Sequence, residues 1–61
     1  MVTFRVTFEG SSRVERVRAE GYRSGPPLVE FVVTEGEGLD IHDHVVATFD
    51  GRAIARITTT G

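Results

Sequence analysis

Asp40, His42 and His44 recur at every second position, and on an extended chain that spacing sends two imidazoles and a carboxylate to one side. Zinc, iron, nickel and copper accept such a donor set. The same residues also suit a polar strand start after a glycine-bearing loop, and the sequence identifies no further ligand or orienting partner beside them. A metal-binding module through Asp40, His42 and His44 is therefore one of three functional expectations, and not the leading one, which needs no cofactor.

Arginine supplies the second constellation. Arg13, Arg16, Arg18 and Arg23, joined by Arg52 and Arg56, are dense enough to form one basic face, with Tyr22 beside them for base stacking and Phe49 as a second aromatic. Small barrels that bind single-stranded nucleic acid combine these features. Two observations weigh against it. The net charge is −2, and Glu15 and Glu20 interleave the arginines, so a solvated strand of mixed charge accounts for the same residues. All 7 basic residues are arginine, a choice that suits bidentate recognition and that a GC-rich coding bias explains equally well.

Other chemistries find little support. Ser11, Ser12, Ser24 and the histidines are hydrolase residue types, but no Gly-x-Ser-x-Gly elbow accompanies them. Gly36 and Gly38 are flanked by Glu35 and Glu37, whose charges repel a phosphate, and no Gly-x-Gly-x-x-Gly or P-loop pattern occurs. The chain reads as non-enzymatic.

Very little protein is available to position these groups. A chain of 61 residues makes one domain and buries only about 60% of the surface it exposes when unfolded. It has 0 cysteines, so neither disulfides nor thiolate zinc sites support the core. The most apolar run, Leu28 to Val33, is interrupted by Glu30, and no basic segment leads into an apolar one at the N-terminus. The expectation is a cytoplasmic protein with no membrane partner. Charge is segregated: positions 24 to 50 carry Glu30, Glu35, Glu37, Asp40, Asp43 and Asp50 without a basic residue, while Arg52 and Arg56 follow without an acid.

The pattern of elements is β throughout. Val2, Phe4, Val6 and Phe8 alternate with Thr3, Arg5 and Thr7, which predicts a strand with one apolar face. Arg13 to Glu20 has helix caps in Ser12, Glu15 and Gly21, yet only Val14 and Val17 for a helix to bury, so a strand with a bulge near Glu15 is favoured. Gly21 to Pro27 reads as a loop because its prolines remove donors. Leu28 to Thr34 predicts a strand with Val29, Phe31 and Val33 inward, and another runs to Phe49. At Asp50-Gly51 the alternation predicts a bulged hairpin that sets Val45 and Ala47 beside Ala53, Ala55 and Ile57, and His44 beside Arg56. The four terminal residues are either the strand end or a frayed tail.

These segments predict a five-stranded antiparallel meander over residues 1–61, curled into a strongly bent sheet or a small SH3-like barrel. Short alternating strands broken by charged turns resemble the layout of many small bacterial proteins, without a diagnostic motif. Leu28, Val32, Val46 and Ile54 would lie outside, giving both faces apolar residues. The leading functional expectation is a structural or interaction module that self-associates, as a homo-oligomer or with a protein partner. Nucleic-acid binding through the arginines and metal binding are the alternatives.

Overall fold

The computed structural model describes residues 1–60, and every regular element in it longer than a single turn is a strand. The alternating apolar residues at the N-terminus form β1 (Val2–Phe8), with Phe4 and Val6 buried and Val2 and Phe8 packed against them. β2 (Val14–Ala19) is a strand, the conformation favoured above for this segment. It pairs antiparallel with β1 in unbroken register from Val2 opposite Ala19 to Thr7 opposite Val14. No bulge is needed at Glu15: Val17 and Ala19 enter the core, and Val14 simply takes the outer face beside Thr7.

Gly21 to Gly25 is a correction. Instead of a loop it forms a further strand, β3 (Gly21–Gly25), paired with β4 (Leu28–Glu35), and only Pro26 and Pro27 make the turn between them. Prolines sit there at no cost to the ladder, because the turn positions donate to no neighbouring strand. Glu20 alone separates β2 from β3, and its N–H bonds the carbonyl of Val32 at 3.0 Å. Val14 to Gly25 is thus one extended run that exchanges partner β1 for partner β4 at Glu20. The Glu20 carboxylate holds the corner by accepting the N–H of Thr34 at 2.7 Å.

A 3₁₀ turn at Gly38–Asp40 leads into β5 (His42–Asp50), which pairs with β4. The expected hairpin at Asp50-Gly51 does not form. A second 3₁₀ turn, Gly51–Ala53, carries the chain across to the other sheet, where β6 (Ile54–Thr60) pairs with β1. β5 and β6 are therefore not hydrogen-bonded neighbours, and neither the pairing of Val45 and Ala47 with Ala53, Ala55 and Ile57 nor that of His44 with Arg56 exists. Thr58 to Thr60 belong to β6, and Gly61 lies outside the described residues.

Among the described residues the result is six strands in two antiparallel three-stranded sheets, ordered β2-β1-β6 and β3-β4-β5, rather than five strands in a closed barrel. The inner faces meet through Phe4, Val6, Val17 and Ala19 on one side and Phe31 and Val33 on the other, with the Phe4 and Phe31 rings 5.2 Å apart. The Cα envelope is only 11 Å thick, about one sheet-to-sheet spacing, and 44 Å long. Among the described residues no helix is long and apolar enough to cross a membrane.

Candidate functional site

Strand alternation and register together decide which side chains share the outer face of the β2-β1-β6 sheet. Since Phe4 and Val6 point inward, Thr3, Arg5 and Thr7 point outward, and each brings its cross-strand partners with it. Three rungs result: Val14, Thr7 and Arg56; Arg16, Arg5 and Thr58; Arg18, Thr3 and Thr60. The face carries Arg5, Arg16, Arg18 and Arg56 among threonines, with no acidic residue in any rung. None of the four forms an ion pair among the described residues.

Arg56 reaches this face through a β-bulge. Plain alternation would place Ile54 and Arg56 on the same side. The β1–β6 register shifts between Thr7, opposite Arg56, and Phe8, opposite Ile54, leaving Ala55 as an extra residue. Ile54 consequently packs on the core and Arg56 faces outward. This corrects the expected outer position of Ile54. An open hollow of about 500 Å³ lies beside the bulge, lined by Arg5, Thr7, Ala55, Arg56 and Thr58.

The remaining arginines are engaged elsewhere. Arg13 donates to Glu15 through Nε at 2.9 Å and Nη2 at 2.6 Å, and its guanidinium lies 5.0 Å from the centre of the Phe8 ring. Arg23 Nε donates to Glu30 at 2.8 Å, and Asp43 stands 3.6 Å from its Nη1. The hydrogen bond to Glu30 raises the Arg23 pKa. Arg52 donates to both oxygens of Asp50, from Nε at 3.1 Å and Nη2 at 3.0 Å, and its backbone N–H caps the same carboxylate at 2.9 Å. Tyr22, about half exposed, lays its ring against the edge of the aromatic core, 5.5 Å from Phe4 and 5.5 Å from Phe31, and Phe49 packs on Phe8 and Phe31. Of the residues expected to bind nucleic acid, the structure brings Arg16, Arg18 and Arg56 onto one acid-free face and joins Arg5 to them. Alternation already marked Arg5 as outward; its place opposite Arg16 required the register.

The histidines lie at the other end of the chain's charge distribution. His42 Nδ1 donates to the backbone carbonyl of Asp40 at 2.8 Å, and Glu35 Oε2 stands 3.9 Å from His42 Nε2 and 3.9 Å from His44 Nδ1. Among the described residues no group of three His, Cys, Asp or Glu side chains is arranged to hold a metal ion. The self-association set is divided. Leu28 and Val46 are each 43% exposed and Val32 is half-buried beside Val45, but Glu30, bonded to Arg23, separates Leu28 from Val32. Leu39, at the first 3₁₀ turn, is fully exposed. Comparisons with known protein families, with curated proteins and with solved structures give no match.

Proposed function

We propose that this protein is a nucleic-acid-binding module that grips the sugar–phosphate backbone with the outer face of the β2-β1-β6 sheet. The observation that carries the reading is the direct opposition of Arg5 and Arg16 across β1 and β2, with Arg18 and Arg56 alongside and no acid in the three rungs. Like charges placed directly opposite on neighbouring strands destabilise a sheet, so a fold that assembles them without counter-ions favours an anionic ligand that supplies them. Guanidinium groups match phosphate oxygens bidentately, and threonine hydroxyls add neutral donors. No aromatic side chain lies on the three rungs, which makes backbone contact, and not base stacking, the mode of binding.

Fluorescence anisotropy with labelled duplex and single-stranded oligonucleotides across a salt series tests this. Four arginines on phosphates give a slope of log K against log salt of about −3.6 for duplex and about −2.8 for single strands. Between 50 and 200 mM salt the duplex affinity then falls roughly 10²-fold. Absence of binding to either form at low salt would end the reading.

A second reading is self-association through the outer face of the β3-β4-β5 sheet, favoured by the exposure of Leu28 and Val46 and by the half-buried Val32, which Glu30 separates from Leu28. Light scattering on a size-exclusion column separates the two. A defined oligomer that Val46→Asp dissociates supports self-association, and a monomer at high concentration removes it.

A further inference from the structure

We propose that the hollow between β1 and β6 seats one phosphate group of the bound polyanion, between Arg5 and Arg56, with the Thr7 and Thr58 hydroxyls as further donors. The inference rests on the nucleic-acid reading above and names the point of closest engagement within it. Arg16 and Arg18, on β2, lie outside the hollow, whereas Arg5 on the central strand and Arg56 on β6 line a concave site of about 500 Å³ together with the small side chain of Ala55. A bulge is a device for re-aiming a side chain. Here it turns Ile54 into the core and Arg56 out to face the hollow, at the cost of an unpaired residue in the ladder.

The donors are free to act. Arg5 and Arg56 have no acidic partner among the described residues. Thr7 makes only a long hydrogen bond of 3.4 Å to the carbonyl of Arg56, which a tighter acceptor displaces, and among the described residues the Thr58 hydroxyl makes none. Two guanidinium-bearing and two hydroxyl-bearing residues lining one concavity supply the donor types that a tetrahedral oxyanion takes, whether an internal phosphodiester or a terminal phosphomonoester.

The test begins with a titration of the ¹⁵N-labelled protein with inorganic phosphate, followed through backbone amides and arginine Nε–H signals. Shifts concentrated at Thr7, Ala55, Thr58 and the Nε–H of Arg5 and Arg56 are expected. Shifts equal or larger at Arg16 and Arg18, or none, overturn the seat. Oligonucleotide affinities of variants provide the second arm. Arg5→Ala and Arg56→Ala each weaken binding roughly tenfold or more, the loss expected for hydrogen bonds to a charged group, and Arg18→Ala weakens it less than about threefold. Thr58→Val and Ala55→Glu, which leave both arginines in place, each weaken it as well, so the test survives a variant that fails to fold.

If wild-type protein binds oligonucleotides but Arg5→Ala and Arg18→Ala lose equally, the seat is wrong and the nucleic-acid reading stands. If phosphate shifts the hollow but no oligonucleotide binds at low salt, the nucleic-acid reading fails and the anion site remains. A 5′-phosphorylated oligonucleotide binding more tightly than its 5′-hydroxyl counterpart identifies the terminal group as the occupant, and equal affinities identify an internal phosphodiester.

Discussion

Arg5 and Arg16 are paired rung to rung on β1 and β2 with nothing acidic beside them, a placement that works against the fold. A like-charged pair of this kind costs a sheet about 0.2–1 kcal/mol, so removing one charge returns that stability. Arg16→Thr therefore melts roughly 1–8 °C above the wild type in calorimetry while binding oligonucleotides more weakly. A variant with lower stability and unchanged binding would show that Arg16 serves packing alone. Asp50 illustrates the opposite situation, a charge fully provided for. The side-chain hydrogen bond from Arg52, then the backbone N–H of Arg52, hold its carboxyl below the usual carboxylate range. A group whose pKa is lower folded than unfolded contributes stability above its unfolded pKa and loses it as pH falls through the folded one. Melting temperatures followed from about pH 6 to about pH 2 should consequently decline less steeply for Asp50→Asn than for the wild type. At this scale composition singled out Arg16, Arg18 and Arg56 together with Arg13, Arg23 and Arg52, and only the structure separates the first three from those held by Glu15, Glu30 and Asp50. Arg5 did not stand out, because only the β1–β2 register shows what it faces.

The elements themselves show where periodicity reads correctly and where it fails. β1 and β4 announce themselves by alternation, since each buries one face and the side-chain period of a strand is two. Bulges are invisible to that period. The extra residue at Ala55 in β6 and the register shift between Phe31 and Val32 opposite β5 each reverse which residues face the core, and both lie in the segment where the hairpin expectation failed. β3 was hidden for another reason: Gly21 to Gly25 presents almost no apolar face, and its order comes from pairing with β4. Glycine positions are separable in the same physical terms. Gly36 has φ +101°, and a Cβ there would run into the carbonyl oxygen of Asp40, whereas Gly10, at φ +66°, has open space around it. Gly36→Ala combines backbone strain with a collision against main chain and should cost more than about 1 kcal/mol in urea unfolding. Gly10→Asn, a residue tolerated in the left-handed region, should cost less than half as much. Similar losses at both sites would mean the turn before β5 yields without difficulty.

Over the whole molecule the ledger of charge and the thinness of the core meet. The Cα radius of gyration is 12.5 Å, against about 10.5 Å for a domain of this length, and among the described residues only six apolar ones are buried. Stability scaled by length amounts to about 3–9 kcal/mol, so a ligand that binds only the folded state is a large perturbation. The net charge of −2 does not oppose such a ligand, because Glu35, Glu37, Asp40 and Asp43 cluster around the turn before β5 while the arginine face carries no acid. Within a Debye length of about 8 Å at physiological salt, a bound phosphate responds to the face it touches and not to the sum. Free oligonucleotide at about 100 times its dissociation constant adds about 2.7 kcal/mol to the folded state, which for a domain this small raises the melting temperature by roughly 10–20 °C. The rise should shrink as salt is added, and an Arg5→Ala, Arg56→Ala double variant should lose most of it at the same oligonucleotide concentration. A melting temperature indifferent to oligonucleotide at low salt would instead turn attention to the exposed Leu28 and Val46, where added stability depends on protein concentration.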